Sequence, residues 1–566
     1  MRSYGTVTYE AGKWVVAAEA HVMLRAKRVF AQVCKGSMGK LTMLATPSTT
    51  RDLEWFLQRF PMTVDDPARL DELARRHDAA MASVQGILDR GVASPTFELA
   101  VPARAYQRVA ANLALSTGRL LLADDLGLGK TCSGICVISE QRCRPAVVVT
   151  MTHLPQQWTA QFTKFAPSLR IHCPKKRQPT DADRELLGSI LRPDVVVIGY
   201  SKLDGWAETL VEWGARCVVF DEMQDLRTGI KTAKGKGAAH IAGNCAVRMG
   251  LTATPVYNYG DEIFNLLEIL EPGCLGDSVE FEREWCTRNR VNDPRALGTH
   301  LREHGLMLRR VGEDVSEEVP QLAKPIRIPH LVDADTKAIA KAQTAAAEFA
   351  RILLASSGKG IDKMGAAGEI DWRLRQATGI AKAGYVAEFV RVLLASEAKV
   401  LLYGWHHAVY ALWREALAEF DPVCFTGDES PAQKEVALQR FTTGGSRVLI
   451  MSLRSGAGVD GLQEACRCVV FGELDWSPGV HEQCIGRVHR PGQRDTVRAY
   501  FLHADEGSDP FVVEVLGIKE AQSKGIRDPL APSSESVGDK RDGIRLMAEA
   551  CLRAAGESAP ALEEAA

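Results

Sequence analysis

The sequence lacks any apolar run approaching the roughly 18 residues needed to span a bilayer. Its opening, MRSYGTVTYEAGKW, holds no apolar secretory stretch. It also lacks an excess of charge: 69 Lys and Arg stand against 71 Asp and Glu, a formal net charge of −2. The chain as a whole therefore does not attract a polyanion, and basic groups must gather on one surface if nucleic acid is the partner. No CxxC pair occurs among its 14 cysteines. Cys132 and Cys136, or Cys466 and Cys468, have the wrong spacing for a zinc ribbon, so the cysteines read as reduced, mostly buried thiols of a cytosolic protein. The ordinary 46% hydrophobic and 25% charged composition of the 566 residues excludes a disordered, collagen-like or coiled-coil chain. At roughly one domain per 150 residues, about three or four units are expected, in a protein without a membrane span.

What is present begins with short β-branched runs. RLLLADD (119–125), AVVVTM (146–151), DVVVIGY (194–200), CVVFDE (217–222) and VRMGLTA (247–253) alternate with helical segments such as TCSGICVISEQ and QQWTAQFTKFA. Nearly all-apolar strands are what a parallel sheet covered on both faces requires, and strand–helix repeats make it right-handed and doubly wound. The pattern resumes with KVLLYGW (399–405), PVCFTG (422–427), RVLIMS (447–452), RCVVFGE (467–473) and TVRAYFL (496–502). The expected fold is α/β, with two tandem doubly wound lobes over 98–330 and 386–527, and residues 331–385 as a helical bridge broken by SSGKGIDKMGAAGE. Residues 1–97 read as a small α+β accessory domain, and 528–566 as a flexible tail carrying a short amphipathic helix.

Three signals carry chemistry. In LLLADDLGLGKTCSGICV (120–137) a buried strand enters a glycine turn followed by Lys130, Thr131 and a helix. Gly127 and Gly129 let backbone N–H groups approach phosphate oxygens, Lys130 reaches the β/γ-phosphates, and Thr131 offers a hydroxyl to magnesium. The usual first glycine of such a turn is Asp124 here. In CVVFDEMQDL (217–226) a strand ends in Asp221, suited to hold magnesium, and Glu222, suited to activate a water. In GRVHRPGQ (486–493), Arg487 and Arg490 lie three apart on an expected helix and share a face. Such guanidiniums make sense as groups delivered to a γ-phosphate by a second lobe. CPKKRQP (173–179) is either a phosphate-binding patch or a solvated loop, the loop being favoured, and Trp405 and Trp476 read as core residues.

With these in hand the chain resembles the Swi/Snf-type ATPases of helicase superfamily two, from about residue 98 to 505. ARAYQ with Gln107 is similar to the adenine-reading Q motif, DDLGLGKT to motif I, VVVTMTHLPQQW to Ia, VVVIGYSKL to Ib, DEMQ to II and GLTATP to III. LMLRRVGEDV closes the first lobe as in the family. KVLLYGWHHAV resembles motif IV, SLRSGAGVDGLQEA motif V and EQCIGRVHRPGQ motif VI. FGELDWSPGVHEQCIGRVHRPGQ is particularly similar to the annealing-helicase branch. Four departures stand out: Gln224 replaces the family's His, Ile230-Lys231-Thr232 only partly matches the Lys-Asn that tends to follow motif II, the glycines of motif V are shifted so that Gly458 and Asp460 align to the general pattern, and there is no room for the large helical insertions of nucleosome remodellers.

The resemblance implies two RecA-like lobes around one ATP with Mg2+. Gln107, Asp125, Gly127, Leu128, Gly129, Lys130, Thr131 and Asp460 would hold the nucleotide, and Thr131 and Asp221 the metal. Glu222, Arg487, Arg490 and Gln483 would be catalytic. His153, Ser201, Thr252, His406 and Ser452 would meet nucleic acid. The expected activity is that of an ATP-driven translocase on duplex or forked DNA that remodels or reanneals it. The alternatives are a strand-separating DNA or RNA helicase and an ATP-gated clamp on DNA that does not move.

Overall fold

A computed structural model describes residues 3–30, 33, 39–90, 97–152, 154–253, 255, 262–287, 290–318, 324–355, 360–453, 459, 461–490, 492–514, 516 and 540–557. The chain divides into two compact units, one ending at Glu318 and one holding the described residues from 324 onward.

The first unit opens with a small sheet. Strands β1 (Gly5–Glu10) and β2 (Lys13–Ala18) form a hairpin over Ala11 and Gly12, both at positive φ as a tight two-residue turn demands. Strand β3 (Leu41–Leu44) extends it antiparallel and β4 (Thr63–Val64) parallel. Val7, Trp14, Val16, Leu41 and Met43 pack on Leu53 and Phe56 of the helix Pro47–Arg59. The indole of Trp14 finds its acceptor in Thr50 Oγ1 at 2.8 Å, so a fully buried polar atom is satisfied. The next helix, Pro67–Arg90, gives Leu70 to this core but Val84 to the core of the following lobe. The expected boundary at residue 97 therefore does not separate two independent bodies: one helix is shared by both.

The lobe that follows is a seven-stranded sheet. Its strands are β5 (Arg119–Leu122), β6 (Ala146–Thr150), β7 (Ile171–His172), β8 (Val195–Gly199), β9 (Cys217–Asp221) and β10 (Val247–Leu251). A hairpin, β11 (Cys286–Thr287) with β12 (Arg290–Val291), stands apart, and β13 (Met307–Leu308) closes the edge beside β5. The order is β13-β5-β10-β9-β6-β8-β7, with every pairing parallel. Side-chain alternation sorts the strands into two faces. Leu121, Val147, Val149, Val196, Ile198, Val218 and Phe220 share one core, while Leu120, Leu122, Val148, Val197, Val219 and Met249 share the other. That two-sided burial is why the strands read as continuous apolar runs.

The second unit holds a six-stranded parallel sheet ordered β14-β19-β18-β15-β17-β16. Its strands are β14 (Ile326–Leu331), β15 (Val400–Gly404), β16 (Val423–Phe425), β17 (Val448–Ser452), β18 (Cys468–Phe471) and β19 (Arg498–His503). Strand β14 is an exposed edge strand containing Pro329, which a central strand would not tolerate. The expected bridge over 331–385 is instead part of this unit. Helices Thr336–Leu354 and Gly360–Leu393 pack on each other, and the second runs past 385. Fully buried Lys382 reaches from it to Asp509 Oδ2 at 2.6 Å and the Leu502 carbonyl at 2.7 Å. The expected flexible tail is corrected in part as well. Helix Lys540–Ala554 packs on Thr336–Leu354, buries Met547, Ala548, Cys551 and Leu552, and is followed by an Arg351–Glu557 ion pair at 2.5 Å.

If that helix is part of the fold, Met547→Ala costs about 2–5 kcal/mol, the range for a methionine deleted from a core. Thermal unfolding should show a lowered midpoint, whereas a truly mobile tail would give none.

Candidate nucleotide site

Strand β5 delivers the phosphate turn. After Leu122 the chain leaves the sheet, and Gly127 and Gly129 take φ of 81° and 73°, left-handed values that a side chain resists. Helix Lys130–Ser139 then starts directly from Gly129. Gln107, near the start of helix Ala105–Thr117, donates Nε2 to the carbonyls of Leu128 at 3.1 Å and Gly129 at 3.4 Å. A Cβ on Gly129 would lie 2.6 Å from that same nitrogen and displace it, and at this left-handed φ any side chain would strain the turn. Tyr106 Oη donates to the Leu128 carbonyl at 2.7 Å, doubling the hold. Lys130 Nζ donates to the carbonyls of Asp124 and Asp125 at 2.8 and 3.1 Å. Burial lowers its ammonium from the ordinary value, against the charges of Glu222, Asp124 and Asp125.

Asp124, where phosphate turns usually carry glycine, is 1% exposed and ion-paired to Arg310. Arg310 Nε and Nη2 meet its two oxygens at 3.0 and 2.5 Å, and Nη1 donates to the Tyr106 carbonyl. Arg309 Nη1 donates to the Ala123 carbonyl at 2.7 Å. Both arginines follow β13, whose pairing with β5 sets them beside the turn. Glu318 accepts from the amides of Ala105 and Tyr106 at 2.6 and 3.2 Å, capping the helix that carries Gln107. Sequence reasoning missed this clasp; the paired charges of Asp124 and Arg309-Arg310 were its only trace.

Strand β9 delivers the carboxylates. Asp221 Oδ2 accepts from Trp158 Nε1 at 2.7 Å and Thr150 Oγ1 at 3.1 Å. Burial, and then the charge of Glu222, push its carboxyl up to about 6. Glu222 turns sharply out of the strand at φ 51°, ψ 52°, a left-handed backbone that a Glu adopts only when its surroundings hold it. Gln224 Nε2 donates to Glu222 Oε2 at 2.6 Å, and Thr252 Oγ1 donates to Gln224 Oε1 at 2.6 Å. The Thr252 amide in turn bonds the Leu122 carbonyl at 3.0 Å, just before the phosphate turn. Gln224 is thus an amide relay between Glu222 and the end of β10. The charge of Glu222 raises both the Lys130 ammonium and the Asp221 carboxyl, so Glu222 lies within electrostatic reach of each. The donor set fits a magnesium-bound triphosphate: a glycine cradle, one ammonium, one carboxylate at a strand end and the hydroxyl of Thr131.

Several expected positions fall differently. Thr252 is fully buried and His406 is 4% exposed, which corrects the expectation that they face nucleic acid. Thr252 belongs to the Gln224 relay. His406 Nδ1 meets Glu473 Oε1 at 2.6 Å, while the amides of Trp405 and His406 donate to Glu473 Oε2 at 2.6 and 3.0 Å. Burial raises the Glu473 carboxyl, but those bonds prevail and leave it below the usual range. Ser201 is exposed at the end of β8, its hydroxyl 3.2 Å from that of Thr152, and Ser452 is half-buried at the end of β17. His153, Gly458 and Asp460 lie outside the described residues.

In the second unit, helix Pro478–Ile485 carries Gln483 but ends before the arginines. The expected helix through Arg487 and Arg490 is therefore corrected to a turn, in which Val488 and His489 donate back to the Ile485 carbonyl. The helix ends at Gly486, whose backbone stays right-handed at φ −62°, ψ −7° and whose N–H bonds the Glu482 carbonyl at 2.8 Å. Arg490 Nε bonds the Gly486 carbonyl at 2.7 Å. Arg487 is 7% exposed, and its guanidinium has no hydrogen-bond or ion-pair partner among the described residues. Trp476 is core, as expected, with its indole donating to Asp371 at 2.7 Å.

Comparison with known proteins places these features in context. A family model described as the SNF2-related domain matches residues 15–378, and one described as the helicase conserved C-terminal domain matches residues 385–492. The chain is 27% identical over 429 residues to the DNA annealing helicase and endonuclease ZRANB3 of Mus musculus, covering 72% of this chain and 39% of that one. It is 26% identical over 423 residues to the SWI/SNF-related matrix-associated actin-dependent regulator of chromatin subfamily A-like protein 1 of Xenopus tropicalis, covering 72% and 43%. It is 23% identical over 420 residues to an uncharacterized ATP-dependent helicase of Mycoplasma genitalium, covering 71% and 39%. The chain thus spans less than half the length of these curated relatives.

Two outcomes follow from the site's geometry. Arg310→Leu leaves Asp124 buried without its counter-charge and costs about 3–5 kcal/mol, whereas Asp124→Leu with Arg310→Leu costs less than either change alone. Urea denaturation of the three variants checks this, and equal losses in all three would refute it. Gln224→Ala frees Glu222 to rotate and removes a bond to a charged group worth about 1.5–3 kcal/mol. It should lower kcat for ATP hydrolysis roughly 10-fold to 100-fold with KM little changed, measured by steady-state phosphate release.

Proposed function

The chain belongs to the SNF2-related domain family, and from that premise we propose that it is a nucleic-acid-dependent ATPase that translocates on duplex or forked DNA and remodels or reanneals its strands. The observation that carries the reading is Glu222, turned out of β9 and fixed by Gln224 beside Lys130 and Asp221. A passive clamp has no use for a carboxylate so held. Gln107 and the turn from Asp125 through Leu128 to Gly129 receive the nucleotide, with Asp460 at the ribose. Lys130 neutralises phosphate charge, and Thr131 and Asp221 hold magnesium, which when bound draws charge from the phosphate oxygens. Glu222 orients a water and takes its proton. The guanidinium of Arg487, which has no hydrogen-bond or ion-pair partner among the described residues, supplies with Arg490 the charge that stabilises the departing γ-phosphoryl, and Gln483 offers it an amide donor.

Movement follows if the ATP-bound and product-bound forms differ in affinity for the DNA backbone, since a ligand shifts an equilibrium only by its differential binding. Ser201, Ser452 and His153 are the proposed backbone contacts, and residues 1–97 the proposed substrate-recognising part.

ATP hydrolysis measured without nucleic acid, with single strands, with blunt duplex and with forks tests this. Duplex or forks should stimulate most, Lys130→Ala should abolish turnover, and Arg487→Ala should lower it by roughly 10³-fold or more. Stimulation by single strands alone would instead mark a strand-separating enzyme, and DNA binding without turnover a clamp.

A further inference from the structure

The basic run at 173–179 is not the free loop expected of a solvated stretch. It follows β7, the outermost strand of the first lobe's sheet, and its backbone is fastened at several points to the start of helix Leu203–Glu212, which follows β8, and to Lys202 just before it. Trp206, fully buried, donates Nε1 to the Lys176 carbonyl at 3.2 Å. Lys202 Nζ donates to the Pro174 carbonyl at 2.6 Å. A Cβ on Gly205 would lie 2.6 Å from the Arg177 carbonyl, so only glycine lets the two backbones meet. The result is a loop anchored by buried Pro174, whose Lys175, Lys176 and Arg177 side chains are exposed. Neither lysine has an ion-pair partner among the described residues. Arg177 shares only Asp204, at 3.3 Å, and Asp183 is already spent on Thr180 and His172.

Fixing adjacent like charges side by side is unfavourable unless an anion compensates, and a free loop would let them spread. Position says which anion. All strands of this sheet are parallel, so the segments leaving their C-terminal ends line one edge. Along that edge the phosphate turn follows β5 and Asp221 ends β9. Then come the Thr152–Ser201 hydroxyl pair after β6 and β8, and the basic loop after β7. Neighbouring strands lie about 4.8 Å apart, so the loop stands about 24 Å, five strands, from the phosphate turn. That is too far to serve the nucleotide, but it directly continues the Thr152–Ser201 end. In a chain of net charge −2, such concentration is what a polyanion requires.

We propose that Lys175, Lys176 and Arg177 form a pre-set cradle for consecutive phosphates of duplex DNA, extending the track that begins at Thr152 and Ser201. This rests on the reading of the protein as a DNA motor. The contacts are to backbone alone and add affinity without sequence preference.

Binding of a fluorescently labelled blunt duplex, followed by anisotropy between about 50 and 200 mM salt, tests it. Each phosphate neutralised contributes about 0.9 to the slope of log K against log salt. The triple variant Lys175→Gln/Lys176→Gln/Arg177→Gln should therefore lose about 2.7 from that slope, about 0.9 for each of three cations, and bind at least 10-fold more weakly at the low-salt end. The charge-keeping variant Lys175→Arg/Lys176→Arg/Arg177→Lys should restore both. Equal melting midpoints in the three proteins exclude a folding effect. If the Gln variant keeps the parent slope while the parent binds duplex and is stimulated by it, the cradle is overturned and the motor reading stands. If the parent neither binds duplex nor responds to it, both fall together.

Discussion

A carboxylate placed inside a phosphate-binding turn is a hazard, because it repels the anion the turn exists to hold. Here Asp124 is made tolerable by a guanidinium locked on both of its oxygens. Much of the first lobe follows from that pairing. Arg310 can reach Asp124 only because β13 lies parallel beside β5, so the segment after residue 306 must return to the sheet's edge. The same guanidinium touches the Tyr106 carbonyl, and Glu318 caps the helix on which Tyr106 sits. Turn, the helix carrying Gln107 and the lobe terminus are thereby one hydrogen-bonded assembly.

The interior strands of both lobes were legible because parallel strands buried on both faces leave uninterrupted Val, Ile and Leu. The expected runs and the observed strands agree to within a few residues, as at Ala146–Thr150 and Val448–Ser452. Among the edge strands, PVCFTG anticipated β16, but the others left no such run. Strand β13 has two residues and β14 is exposed and carries Pro329, so neither offers a pattern above background. The turn and the carboxylate pair announced themselves by short-range spacing. The Arg310 clasp on Asp124 and the Gln224–Thr252 link of the relay join residues from different motifs, and pairing of that kind has no local signature.

Burial explains the other differences. A serine or histidine at the end of a strand reads the same whether it faces solvent or caps an interior carboxylate. Ser201 took the first course and His406 the second, because Glu473 sits at the adjoining strand end with two amides and an imidazole to collect. The helices expected to bridge the lobes were recognised as helices but not as part of the second unit. The reason lies in single long-range bonds such as Lys382 to Asp509, which a lysine in an alanine-rich stretch does not advertise.

Helix Pro67–Arg90 belongs by its first turns to the small N-terminal sheet, and by Val84, with Ile87 and Leu88 beside it, to the lobe that holds the phosphate turn. A single stiff rod planted in two foundations cannot swivel. The N-terminal sheet is geared directly to the lobe that carries the phosphate turn, and a cut made at residue 97 would lay bare the apolar face that Val84 shares with that lobe rather than free an appendage.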